Sequence, residues 1–374
     1  MKATMKIPAT KIHFSADDRK EILSRIDCCL ETGQVSQGAN VDELEALFAQ
    51  YVGCQHALAL SSGGSSLEAA MRALGVEGKE VLVPTNTFLA TAAGVLAAGG
   101  SVRLLDIDLT TISPSVQIIE EAIGPQTVGV IVVHIGGIIS RDIEQIRVLC
   151  DQKGVWLFED CAHAHGSEFA GKKAGCFGVG GAYSFFSTKV MTCGEGGMFV
   201  TSDYGVAKEV ALLRNYGKAD KWVTICERFG LNWRLNELAA AVAVVQLKRL
   251  DEFVDYRTRV AQHYTKILAD EPRVTILQPS GRCSWYKYIV LLPTSVNRDE
   301  LKKYAAARGV TFAGGVYDRP LHSQPVATSL GFSGTFPKAV DFCARHVCLP
   351  IYVGMTSSET DYVVEVFRDA LDFV

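Results

Sequence analysis

The feature that most constrains this chain is a rhythm. Five short, largely apolar runs occur within its first 160 residues: His56–Leu60, Glu80–Pro84, Ser101–Asp108, Val128–His134 and Val155–Phe158. Between them lie segments with helical character, Leu67–Leu74, the stretch opened by Thr85–Thr91, Pro114 onward, and Asp142–Lys153. Short strands alternating with helices form βαβ units and a parallel sheet covered on both faces, which is why the runs are apolar throughout instead of alternating. The expected fold is α/β, a large domain with a mostly parallel central sheet flanked by helices. In such sheets ligands bind beyond the carboxyl ends of the strands. The turn Ser61–Ser66 and the acids Glu159 and Asp160 stand at two of those ends.

Two amphipathic helices are expected before the first strand, one with Ile22, Leu23, Ile26 and Leu30, the other with Leu44, Leu47 and Phe48. Past Leu250 the rhythm changes. A charged helix over Asp255–Ala269, a strand over Trp285–Leu292, a helix over Arg298–Arg308 and a last helix from Glu359 predict a smaller α+β domain. The expected division is an N-terminal segment 1–15, a large domain 16–250 and a small domain 251–374, in keeping with 374 residues. A net charge of −4 gives no electrostatic case for nucleic acid or an anionic membrane, and no apolar run approaches the ~20 residues that span a bilayer. The first residues contain no signal-type apolar stretch. The eleven cysteines form no CxxC pair, which argues for reduced thiols, a cytoplasmic location and no zinc.

The chemistry concentrates between Phe158 and Val200. Asp160 ends an apolar strand, and Lys189 follows among Phe185, Phe186, Val190 and Met191. An apolar cradle lowers an amine's pKa and makes it nucleophilic. A buried carboxylate needs a cationic partner or hydrogen bonds to stay ionised. Pyridoxal phosphate requires both groups: a lysine for its aldehyde and an acid for its ring nitrogen. The strand, Gly/Ser turn and helix around Ser61–Ser66 form the usual anion site of a helix N-terminus. Glu159 competes with Asp160 for the acid's role, and Asp160 could equally be a helix cap. His163 and His165 lack the i, i+4 spacing of a metal site. By itself Phe88 reads as a core aromatic.

The segments EDCAHAHG, SFFSTK and GEGG, in this order, resemble the core signature of the DegT/StrS sugar aminotransferases, fold type I pyridoxal phosphate enzymes. The likeness extends to VPTNTFLAT and GLNWRLNE. It implies that Gly63 and Gly64 cradle the cofactor phosphate with Ser184, that Phe88 stacks on the ring, that Asp160 meets the ring nitrogen, and that His163 lies beside the ring near its phenolic oxygen. Lys189 then holds the aldehyde and shuttles the proton. Gly64 stands where the family has threonine, with Ser65 as the replacement hydroxyl. Asn232 is expected to reach the phosphate of a neighbouring subunit, hence a homodimer with shared sites. Dehydratase relatives carry histidine at the lysine position, so the retained Lys189 favours transamination through pyridoxamine phosphate. The resemblance implies a keto-sugar, nucleotide-linked, as substrate, with glutamate or glutamine as donor. Alternatives are a cyclitol or aminoshikimate-type substrate, a dehydration, or a regulator without turnover.

Overall fold

The computed structural model describes residues 5–220, 223–313 and 316–374. The first four residues of the expected N-terminal segment therefore lie outside it. Two helices open the chain, α1 (Ala16–Thr32) and α2 (Ala39–Val52). There follow β1 (His56–Leu60), α3 (Gly63–Ala73), β2 (Glu80–Pro84), α4 (Leu89–Ala97), β3 (Ser101–Leu105), α5 (Val116–Ala122), β4 (Thr127–Val133), α6 (Ile143–Lys153) and β5 (Trp156–Asp160). A small hairpin, β6 (Glu168–Phe169) and β7 (Lys172–Lys173), precedes β8 (Gly180–Ser184), β9 (Gly197–Thr201) and α7 (Tyr204–Leu213).

One seven-stranded sheet runs β1-β9-β8-β5-β4-β2-β3. Every pairing is parallel except those of β9, which is antiparallel to both β1 and β8. The sheet is thus mostly parallel, as the apolar runs predict. Alternate side chains serve opposite faces. Ala57, Ala59, Leu157, Met198 and Val200 join Leu44, Phe48 and Val244 in one core, while Leu58, Leu60, Phe158 and Phe199 join Leu67, Met71 and Val210 in another. Fully burying a phenylalanine such as Phe158 or Phe199 contributes about 2–3 kcal/mol relative to exposure.

After α8 (Glu237–Lys248) and α9 (Leu250–Ile267), the chain forms a three-stranded antiparallel sheet of β10 (Thr275–Ile276), β11 (Tyr288–Leu291) and β12 (His346–Leu349), with α10 (Arg298–Ala307), α11 (Pro337–Arg345) and α12 (Ser357–Phe373). The charged helix begins five residues earlier than expected, and its first turn packs Leu250, Phe253 and Val254 into the core of the large sheet. Its later residues Val260, Ala261 and Tyr264 enter the core of the small sheet. Between them Arg257 is buried, donating from Nη1 to the carbonyls of Trp285 (3.0 Å) and Ile351 (3.1 Å). Ile7 also belongs to the small-sheet core, bridging Val310 in parallel through Ile7 N–H to Gly309 O (2.8 Å) and Thr311 N–H to Ile7 O (2.9 Å).

Two other boundaries shift. The helix after the Gly/Ser turn starts at Gly63, not Leu67, because Ser62 and Ser65 form a capping box that draws the glycines into its first turn. The third strand ends at Leu105, and Asp106 instead caps α11 through the N–H groups of Lys338 and Ala339. No helix among the described residues is long and apolar enough to cross a membrane. All eleven cysteines are free.

Candidate active site

The carboxyl ends of β1, β2, β5 and β8 converge on one cavity of about 380 Å³, within the ~300–1,000 Å³ of small-molecule sites. Seven of the eight residues singled out from sequence line it: Gly63, Gly64, Phe88, Asp160, His163, Ser184 and Lys189. Asn232 does not. It is exposed and forms an antiparallel bridge to the buried Asn215.

The anion cradle is built by close approach. Leu60 and Ser184 both register against Gly197. A Cβ on Gly63 would lie 2.8 Å from the Ser184 Cβ, so only glycine brings this helix start against β8. Ser62 Oγ accepts from Ser65 N–H (3.0 Å), while Ser65 Oγ accepts from Ser62 N–H (2.9 Å) and donates to Ser62 O (2.8 Å). The N–H groups of Gly63 and Gly64, ahead of the first intrahelical bonds, are left for an anion. The expectation that Ser65 substitutes for a threonine hydroxyl fails: Ser65 is buried, its hydroxyl is occupied inside the cap, and it is absent from the cavity lining. At Gly64 a Cβ would meet only Ser62 Oγ at 3.7 Å, so a side chain has room there.

Period-two alternation settles the two acids. Glu159 is fully buried, accepting from the N–H groups of Gly175 (2.7 Å), Phe177 (2.7 Å) and Gly178 (3.0 Å), with His134 Nε2 at 3.0 Å. It is a structural anchor. Asp160 faces the cavity, accepting from Thr91 Oγ1 (2.7 Å) and Ala162 N–H (3.1 Å). Burial pushes the Asp160 carboxyl up, and those two hydrogen bonds and the Lys189 charge pull it back. Thr91 is itself bonded to the Thr87 hydroxyl (2.7 Å).

Lys189 lies in the turn after β8, held by Lys189 N–H to Phe186 O (2.9 Å). Burial pushes its amine down to about 8, against the attraction of Asp160. His163 is buried, stacked at 4.2 Å on Tyr286, and its Nδ1 accepts from Gly136 N–H (3.4 Å). Burial holds the ring neutral, well below its ordinary 6.5. The proton therefore sits on Nε2, a donor. His165 is fully buried against Tyr183 and Phe185, without a partner at either ring nitrogen among the described residues. Phe88 is 66% exposed at the start of α4, so the core reading of this ring fails.

Sequence reasoning missed four lining or supporting residues. Thr91 lies inside a quoted motif but received no role. Thr188 and Tyr286 share a hydroxyl contact (3.1 Å) at the cavity wall, and Tyr317 faces Asp160 from the loop after α10. The two tyrosines come from the C-terminal third, and nothing in their local sequence marks them. Trp285, just before Tyr286, adopts φ 49°, a left-handed conformation costly for a non-glycine residue.

The profile of the DegT/DnrJ/EryC1/StrS aminotransferase family matches residues 16–368. The chain is 33% identical over 344 residues to the erythromycin biosynthesis sensory transduction protein EryC1 of Saccharopolyspora erythraea, covering 91% of this chain and 92% of that protein. It is 30% identical over 368 residues to GDP-perosamine synthase of Vibrio cholerae, covering 97% and 98%. The crystal structure of S. venezuelae DesV in complex with a ketimine intermediate superposes with a TM-score of 0.91 at 30% identity, over 99% of each chain.

Proposed function

Because the chain belongs to the DegT/DnrJ/EryC1/StrS aminotransferase family, we propose that the cavity above β5 and β8 is the site where it converts a keto-sugar to an amino sugar with pyridoxal 5′-phosphate. The observation that carries this is the convergence of Lys189, Asp160 and the α3 N-terminus on one cavity. The donor set fits the cofactor: an anion cradle that a Cβ at position 63 would fill, a buried carboxylate, a neutral histidine donor and a desolvated amine.

When bound, the cofactor supplies an aldehyde that takes up an amine and a ring that accepts the electron pair left by a departing proton, alternating with its pyridoxamine form. The Gly63 and Gly64 N–H groups and Ser184 would hold its phosphate. Asp160, steadied by Thr91, would meet the ring nitrogen as a carboxylate. His163 Nε2 would donate to the phenolic oxygen, and Phe88 would lie against the ring. Lys189 Nζ would hold the aldehyde, and with burial lowering its pKa to about 8 it can take and return a proton at the substrate carbon.

The finer reading is a nucleotide-linked sugar, as with the GDP-perosamine synthase relative, and glutamate or glutamine as donor. Two copies form a homodimer in which Asn232 reaches the neighbour's phosphate. Phe229, 79% exposed, and Ile225, 71% exposed, lie on the same surface segment for a second copy to cover. The cofactor site lies in a large domain 16–250, closed by a small domain 251–374. Eleven free thiols suit a cytoplasmic location. The test is direct. Purified protein, a dimer in sedimentation velocity, takes up the cofactor with a visible absorbance band, and glutamate bleaches it. Lys189→Ala abolishes that band and lowers turnover by about 10³-fold or more. A wild-type protein that takes up no cofactor ends the proposal.

A further inference from the structure

Two ammonium groups share one aromatic ring at the cavity wall. Lys189 Nζ lies 4.8 Å from the Tyr286 ring centroid and Lys287 Nζ lies 4.9 Å from it. Tyr286 lines the cavity and Lys287 does not. Lys287 is half-buried, and no carboxylate is among the groups that shift it. The groups that bear on it are Arg257 of α9 and the Cys348 thiol of β12, together with Lys189 and the neutral His163. A half-buried cation without a counterion is unfavourable for the fold, so stability does not account for it. Around Lys189 stand Asp160 from β5, His163 and His165 from the turn after it, Tyr286, Tyr317 and Glu195. Asp160 favours the ammonium form of Lys189, and Lys287 opposes it.

We infer that Lys287 is a positioning residue for the reaction: held on the ring that also carries Lys189, its charge offsets Asp160 and keeps the Lys189 amine free to act as nucleophile and base. This rests on Lys189 being the working amine. A neighbouring cation is one of the two general ways to activate a lysine, and burial, already present here, is the other. Two like charges across one ring at the effective dielectric of a partly buried site amount to about one pKa unit.

The test uses the full-length protein without cofactor. Reductive methylation with formaldehyde and cyanoborohydride is run over a pH series, and the rate at Lys189 is read by peptide mass spectrometry. Lys287→Met and Lys287→Gln are expected to move the half-maximal pH at Lys189 upward by about one unit, a near tenfold slowing at neutral pH. Lys287→Arg, which keeps the charge, is expected to restore the wild-type curve. In the loaded enzyme the alkaline shift should appear in the pH profile of kcat, with KM unchanged. Circular dichroism identifies any variant that has not folded, and the second neutral substitution then decides. A Lys189 titration unmoved in a folded neutral variant overturns the inference. Because the methylation curve needs no cofactor, it can fail while wild-type protein still takes up the cofactor and Lys189→Ala still abolishes the absorbance band, and the reverse.

Discussion

Thr91 shows how much one hydroxyl can set in this site. It is fully buried, and its Oγ1 donates to Asp160 Oδ2 at 2.7 Å, with Thr87 behind it. Without that bond, burial of the Asp160 carboxyl is less opposed and the group moves toward its neutral form, which cannot hold a cationic ring nitrogen. Thr91→Val keeps the shape and removes the donor. A hydrogen bond to a charged group is worth about 1.5–3 kcal/mol, so cofactor affinity in a fluorescence titration should fall about ten- to a hundredfold, with little change in melting temperature. At this scale the sequence was informative where chemistry is rare and silent where it is common. An acid ending an apolar strand and a lysine among phenylalanines are unusual enough to single out. A threonine in a helix is not, and neither is Tyr286, which follows Trp285 in a left-handed backbone. Phe88 reads as core because most phenylalanines are; its 66% exposure arises because the chain turns at the mouth of the cavity before α4 starts.

Among the elements, α3 is the one whose position defines the site. Its start is fixed by the Ser62–Ser65 capping box, and its contact with β8 depends on the missing Cβ of Gly63. Gly63→Ala should force the helix from Ser184 and weaken cofactor binding at least tenfold, because a contact of 2.8 Å to a Cβ on a strand cannot be relieved by rotation. Gly64→Thr should do the opposite. Nothing crowds position 64, glycine is about 0.5–1 kcal/mol less favourable than alanine inside a helix, and a hydroxyl there would face the anion. Isothermal titration of both variants with the cofactor checks the pair. A parallel, doubly covered sheet was legible from the apolar runs, since burial on both faces demands them. The reversal of β9 was not: a buried strand is apolar whichever way it runs, and only its neighbours β1 and β8 reveal its direction.

Across the whole molecule, buried imidazoles give stability a marked dependence on acid. His163 is held well below 6.5, His165 is pushed down to about 3 and His346 to about 4, each chiefly by burial. His165 and His346 stay neutral in the folded chain at pH 5, whereas their unfolded counterparts take up protons below 6.5. The unfolded state then binds more protons, so stability is present above that value and declines as pH falls, by about 2 kcal/mol per ring at pH 5. Asp160, raised by burial, works in the opposite sense at lower pH and only blunts the effect. Urea unfolding at pH 7 and pH 5 should give clearly different stabilities, and His165→Leu should make the difference smaller by about 2 kcal/mol. Ile7 carries a consequence of another kind. Its place beside Val310 is formed by residues that the ribosome makes only when most of the chain has already emerged. Ile7 is thus made long before its permanent neighbour, and until Val310 follows, a growing polypeptide beside it could capture the unpaired backbone.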